Sequence, residues 1–269
     1  MIITKKSQKI VNFRYDYKKI RRNMTHYILF DTETTGNQEE DRIIQVGALI
    51  LHGKEVEVYD ELCLAPKEIS IEAMEVHHIT PDVIAQKPLY SETAFAKRLD
   101  ALNQPQNYLI AHNIKFDLGM VEKEGFDNKY QLIDTVRCAK HLYPELPYHR
   151  LQYLRYALAL YEDEKEEASK AGVTIKAHEA IGDVLILKLL LSKLRQRCEE
   201  RFPEAKVMDK LVALTNTPVL MQTFKFGKYK GREIQDIAHE DAGYLKWMRK
   251  NLELDEDLAY TLDHYMEQF

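Results

Sequence analysis

The stretch His26–Gly36, HYILFDTETTG, decides the fold. Its first half is a short apolar run with two aromatic rings, which reads as a buried strand. Its second half is polar and ends at a glycine turn. Asp31 and Glu33 are two residues apart at the strand's end, and a period of two puts both carboxylates on one face. Two carboxylates side by side repel each other and resist leaving water. A hard divalent cation with oxygen ligands, Mg²⁺ or Mn²⁺, resolves that conflict. The plainer alternative is a polar strand end before a turn at Gly36.

Outward from this stretch, Ile43–Leu51 and Lys54–Cys63 are β-rich runs around His52–Gly53, so they predict a hairpin. The sheet therefore opens with three antiparallel strands. Ser70–His77 and Ser91–Leu102 carry helical periodicity. Tyr108–Ala111 is a further buried strand before a helix over about 114–124. Gln131–Val136 is a shorter strand before a helix over about 137–142. Alternating strand and helix implies parallel strands joined by crossovers. Residues 150–160 and 178–200 read as helices. Val184–Leu194 is apolar nearly all round, so that helix should be deeply packed. The fold class is α/β, a mixed sheet flanked by helices, with a small C-terminal α+β module.

Two more segments carry chemistry. In Ala111–Asp117, AHNIKFD, a strand leads into a polar corner and then a helix. Asn113 suits a helix N-cap. Asp117, four residues on, lies on the same side and faces either the strand-end carboxylates or the helix dipole. In His178–Asp183, HEAIGD, positions five apart on a continuous helix point about 140° apart. His178 and Asp183 converge only if His178 sits before the helix or in its first turn. Ala180 and Gly182 leave room for close approach.

Together D-T-E-T-T-G, H-N-x-x-F-D and H-x-A-x-x-D resemble the three motifs of the DEDDh exonuclease superfamily, over roughly residues 25–198. The position that holds Tyr in the sister DEDDy group is Glu179 here, and His178 precedes it. Val76–Thr80, VHHIT, resembles a segment of the bacterial exodeoxyribonuclease X family. Phe224–Arg232, FKFGKYKGR, with the later Tyr244–Met248, resembles that family's C-terminal module.

The resemblance implies a ribonuclease H-like exonuclease fold and a two-metal site. In it Asp31, Glu33 and Asp183 hold one Mg²⁺ or Mn²⁺, Asp31 reaches a second, and Asp117 supports that second ion. Four carboxylates then balance two divalent cations. His178 becomes the base for the attacking water, since an imidazole near its ordinary pKa of about 6.5 is usable at neutral pH. Thr34 and Thr35 are expected beside the terminal nucleotide, and His77, His78 and Ile79 against its base. The other reading of 77–79 is a helix end with a surface histidine pair. Asn113 is either a substrate contact or only a cap. Phe224–Arg232 is either a single-strand platform or a small hairpin with Phe224 and Phe226 in its core.

The expected activity is removal of nucleotides from the 3′ end of DNA, single-stranded or duplex, in repair, recombination or proofreading. The alternatives are an RNA 3′-end trimming enzyme of the oligoribonuclease or RNase T kind, and a non-catalytic nucleic-acid-binding polymerase subunit. No residue reads out the 2′-hydroxyl that separates DNA from RNA. A polymerase or repair partner is compatible, but none is specified.

The totals bound this reading. Of 269 residues, 45% are hydrophobic and 30% charged, which supports a packed core rather than disorder. Residues 1–23 hold Lys5, Lys6, Lys9, Arg14, Lys18, Lys19, Arg21 and Arg22 against Asp16. That segment is +7 and leaves −12 for the rest of a chain whose net charge is −5. An acidic body argues against unspecific coating of duplex, unless bound cations neutralise part of it. The expected organisation is a basic extension over 1–23, an exonuclease domain over 24–200, a linker over 201–222 and the module over 223–269. Cys63, Cys138 and Cys198 are odd in number, with no C-x-x-C pair, which fits a reducing cytoplasm. No apolar run reaches membrane-spanning length.

Overall fold

The computed structural model describes residues 24–173 and 180–267. Three strands, β1 (Tyr27–Thr34), β2 (Ile43–His52) and β3 (Glu55–Leu62), form an antiparallel meander. β4 (Tyr108–Ala111) and β5 (Gln131–Asp134) add to β1 in parallel, giving the order β3-β2-β1-β4-β5. This is the mixed sheet the periodicity predicts.

The helices in chain order are α1 (Ile71–His77), α2 (Pro81–Ile84), α3 (Ala94–Ala101), α4 (Ile114–Lys123), α5 (Thr135–Leu142), α6 (Leu151–Ala157) and α7 (Glu164–Ala171). After them come α8 (Ala180–Arg201), α9 (Val207–Thr215), α10 (Ile234–Glu240), α11 (Ala242–Asn251) and α12 (Glu256–Met266).

Alternation along the strands feeds two cores. Ile28 and Phe30 of β1 face a layer with Phe95, Leu99, Met120 and Val121 from α3 and α4. Leu29 and Leu49 face the other layer, where Val184, Leu187, Leu190 and Leu194 bury the apolar first half of α8. At roughly 25 cal/mol per Å² of apolar surface removed from water, such layers supply most of the driving force.

Four local expectations are corrected. Strand β5 stops at Asp134 instead of Val136, because the Asp134 carboxylate accepts the N–H groups of Val136 (2.9 Å) and Arg137 (3.3 Å) and starts α5. The helix expected from Ser91 starts at Ala94. Thr93 caps it by accepting from the Ala96 N–H (3.1 Å), and Ser91 lies in a short 3₁₀ turn, Tyr90–Glu92.

Much of the segment expected to be a linker is core. α9 buries Leu211, Leu214 and Thr215, and the Thr215 hydroxyl accepts the Asp134 N–H at 2.9 Å. The turn-rich stretch follows that helix rather than replacing it.

Finally, the C-terminal module is helical. α10–α12 close around Phe224, Ile234, Leu245, Met248 and Leu262. Its described strand pairing is the single bridge Thr223–Glu233, and Phe226 is 46% exposed instead of joining Phe224 inside. The module docks through Asp257, whose carboxylate meets Arg137 at 3.2 Å and Lys140 at 3.4 Å. Among the described residues no helix is long and apolar enough to cross a membrane.

Candidate active site

Asp31 and Glu33 close β1 on the face that Leu29 shares with α8. Asp183 stands in the first described turn of that helix. β2 makes this approach possible. Gly47 pairs with Asp31 across the β1–β2 ladder, and the α8 backbone at Ala180 and Ile181 rests directly on it. A Cβ at Gly47 would stand 2.4 Å from both the Ala180 carbonyl carbon and the Ile181 nitrogen, so only glycine fits. The β1–β2 register also shifts between Glu33 and Thr34, an irregularity of the kind that re-aims side chains at sheet ends.

Asp117 arrives from the opposite layer, on α4. It is buried, and its Oδ1 accepts from the Thr32 N–H (3.0 Å) and the Thr32 hydroxyl (2.8 Å). Its place is therefore against β1 between the two acidic positions, beyond a helix-dipole contact alone.

The four carboxylates act on one another. Burial, with Asp117, Glu33 and Asp183 nearby, holds the Asp31 carboxyl well above the ordinary carboxylate range. Burial and the charges of Asp183 and Asp117 push Glu33 up to about 8. Burial raises Asp117 to about 7 despite the two Thr32 bonds. Charge crowding of this kind favours protons or cations, and the donor set is all oxygen, as Mg²⁺ or Mn²⁺ prefers. Among the described residues no three His, Cys, Asp or Glu side chains are gathered closely enough to hold a metal ion as they stand. Two of the four carboxylates are instead held by neighbours: Asp117 by Thr32, and Asp183 by Gln152, whose Nε2 donates to Asp183 Oδ1 at 2.7 Å. The residues fit a pair of divalent cations in charge and chemistry.

Gln152 is a residue that the motifs did not reveal. Arg155 donates to its Oε1 at 3.2 Å, and the Arg155 guanidinium is bonded at two points to the buried Glu164. The chain Glu164–Arg155–Gln152–Asp183 thus orients Oδ1 of Asp183. The three-residue spacing of Gln152 and Arg155 on α6 was visible in the sequence, but their link to Asp183 is made only by folding.

His112 opens the H-N-x-x-F-D motif, but that motif did not show its role. Its Nε2 donates to the His149 carbonyl (2.9 Å) and its Nδ1 lies 2.9 Å from the Thr135 hydroxyl. Burial lowers its pKa to about 4, so it is a neutral strut between β4 and the loop before α6.

The remaining expected residues divide. His178 lies outside the described residues. Thr35 is fully buried, and its hydroxyl donates to Asp41 (2.7 Å) and accepts from the Arg42 N–H (3.1 Å), so it stitches the 36–42 loop. Thr34 is also buried, and its hydroxyl donates to the Gly36 carbonyl at 2.7 Å. His77 is buried rather than on the surface. Its Nε2 donates to the Thr34 carbonyl (3.2 Å), its Nδ1 accepts from the Ile79 N–H (3.0 Å), and burial lowers its pKa. It ties α1 to the end of β1. His78 is exposed in the left-handed region at φ 60°, at the α1 C-cap. Ile79 packs in a small core with Ile44, Ala65, Ile69 and Ile84.

Asn113 occupies the α4 N-cap position at φ 84° but makes no side-chain cap bond. Its own N–H donates to Asp134 at 3.3 Å, and its side chain is exposed beside the site. In the module, Lys228 pairs with Asp241 (3.2 Å) and Arg232 with Glu240 (2.8 Å), so part of the basic segment is neutralised internally.

A family model described as "Exonuclease", of the RNase T type, matches residues 28–191, and an "Exodeoxyribonuclease X-like C-terminal" model matches 224–253. Exodeoxyribonuclease 10 of Escherichia coli (strain K12) is 29% identical over 246 residues, covering 89% of this chain and 98% of that protein. DNA polymerase III subunit epsilon of Treponema pallidum is 29% identical over 186 residues, covering 62% of this chain and 83% of its own length. In fold, the chain is similar to exonuclease X solved with 5′-overhanging duplex DNA, with a TM-score of 0.52 at 19% identity, covering 70% of this chain and 99% of that one. The chain belongs to the RNase T-type exonuclease family and carries an exodeoxyribonuclease X-like C-terminal module.

Proposed function

We propose that the chain is a metal-dependent 3′→5′ exodeoxyribonuclease. The observation that carries this reading is the convergence of Asp31, Glu33, Asp117 and Asp183, each of the first three pushed toward its protonated form by burial and neighbouring charge. Carboxylates that raise one another in this way favour bound cations, which supports a metal-dependent reaction.

Asp31, Glu33 and Asp183 would hold one divalent cation, with Asp31 and Asp117 serving a second. When bound, such a pair polarises the scissile phosphate and stabilises the attacking and leaving oxygens. Thr32 keeps Asp117 turned toward β1, and Gln152 fixes Asp183, so less reorganisation accompanies binding. His178 would take the proton of the attacking water. Asn113 and His78 are the expected residues exposed to meet a strand; Thr34, Thr35, His77 and Ile79 are buried and would act only from within the fold.

The similarity to Exodeoxyribonuclease 10 over nearly the whole chain supports DNA as substrate. The test is a time course with matched DNA and RNA oligonucleotides, labelled at either end, in Mg²⁺, Mn²⁺ or EDTA. Stepwise loss of DNA from the 3′ end only with metal is expected. Preference for RNA would overturn the substrate, and activity in EDTA the cation requirement.

A further inference from the structure

The helix that supplies Gln152 to Asp183, with the loop before it, turns an aromatic face outward. Tyr148 is 55% exposed and Tyr156 62% exposed, with Tyr153 half-buried between them. The Tyr148 and Tyr153 rings meet edge-on at 5.3 Å. The exposed Arg150 guanidinium lies 5.3 Å from the centre of the Tyr148 ring, and Arg155 lies 5.4 Å from that of Tyr156. Rings this exposed forgo much of the burial that stabilises them elsewhere.

The backbone that presents this face is fixed. His149 is held on both sides, its carbonyl by the buried His112 and its Nε2 to the Tyr143 carbonyl at 3.0 Å. Pro147 and His149, which flank Tyr148, line a cleft of about 630 Å³ with Lys225 and Phe226 of the module. The face therefore shares its helix with Gln152, which holds Asp183, and reaches a cleft with another exposed ring beside Tyr148.

We propose that Tyr148, Arg150, Tyr153 and Tyr156 form a stacking track for the single-stranded stretch of DNA that leads away from the reacting 3′ end. This rests on the exonuclease reading above. Two features favour a nucleic-acid strand over a protein surface. Successive π-faces accept any base, so they suit an enzyme that must handle every sequence. An exposed guanidinium beside a ring serves a phosphate and a base at once. Charge also sets the track's end. Tyr161 leans on Tyr156 at 5.9 Å, but the exposed carboxylates of Glu162 and Asp163 follow it. Phosphates are repelled there, so the strand runs from Tyr156 toward Arg150 and Tyr148.

The experiment compares two substrates in Mn²⁺: a single-stranded DNA 20-mer, and the p-nitrophenyl ester of thymidine 5′-monophosphate, which reaches the site but has no tail. For the double variant Tyr148→Ala, Tyr156→Ala, the ratio of kcat/KM for the 20-mer to that for the ester should fall about tenfold or more. Affinity for a 20-mer, read by fluorescence anisotropy in Ca²⁺, should fall with it. Tyr148→Phe, Tyr156→Phe should restore both, since the rings remain. Arg150→Ala should flatten the salt dependence of 20-mer binding by about one counterion. An unchanged ratio and unchanged anisotropy overturn the track and leave the face for another partner. Equal loss on both substrates overturns it too, because the rings then serve the site itself. If the parent protein hydrolyses neither substrate, the exonuclease reading falls first, and the track with it.

Discussion

Gly47 of β2 and Ala180 of α8 touch so closely that a methyl on Gly47 would stand 2.4 Å from the Ala180 carbonyl carbon. This contact sets the height of α8, and so of Asp183, above Asp31. Gly47→Ala must push backbone against backbone, which side-chain motion cannot relieve. It is expected to destabilise the fold by about 1–3 kcal/mol. A displacement near 1 Å at the site should also lower kcat by about 10²-fold. Thermal unfolding and a nuclease assay check both; parental values in both would show that α8 is positioned elsewhere.

Gln152 is expected to matter without touching substrate. Gln152→Leu keeps the volume but frees Asp183 Oδ1 and removes the acceptor for Arg155. Loss of a partner that orients a ligand costs about 10–100-fold in metal affinity or activity. Calorimetric titration with Mn²⁺ reads the affinity, and circular dichroism checks that the fold persists. Parental Mn²⁺ affinity in this variant would remove Gln152 from the site.

The raised carboxyls predict an unusual pH dependence. Glu33 moves from 4.5 to about 8 and Asp117 from 3.8 to about 7 on folding, so the folded state holds protons that the unfolded chain releases. Stability without metal should therefore fall as pH rises from about 5 to 8. A divalent cation substitutes for those protons, so added Mg²⁺ or Mn²⁺ should raise Tm more at pH 8 than at pH 5.5. Melting curves in EDTA and in metal across this range give the answer. A metal-free Tm that climbs toward pH 8 would contradict the cluster's electrostatics.

Thr215 tests whether α9 belongs to the nuclease core. Its buried hydroxyl accepts from Asp134 N–H and donates to the Leu211 carbonyl at 3.0 Å. Thr215→Val leaves the Asp134 N–H without that acceptor and should cost about 1–3 kcal/mol. Denaturant unfolding measures it; a change within error would return this segment to the status of a tether.

Sequence alone determined the sheet, because buried strands and a hydrophobic helix write their periods locally. IIQVGALIL and YLIA lie within one residue of their observed strands, while β1 runs four residues past HYILF, to Thr34, and so carries both carboxylates. It also pointed to Asp31, Glu33, Asp117 and Asp183, since those types at strand and helix ends have few other uses together. Only the tertiary structure decided which polar groups support them. Gln152 and Gly47 sit in unremarkable local sequence, and His112 opens a motif that does not show its role; these roles come from groups 31, 133 and 37 positions away. The same holds for Thr35 and His77, whose hydrogen bonds lead into the 36–42 loop and to the end of β1. A local pattern records which face a residue takes. A contact between distant segments is fixed only when the packed core brings their backbones together.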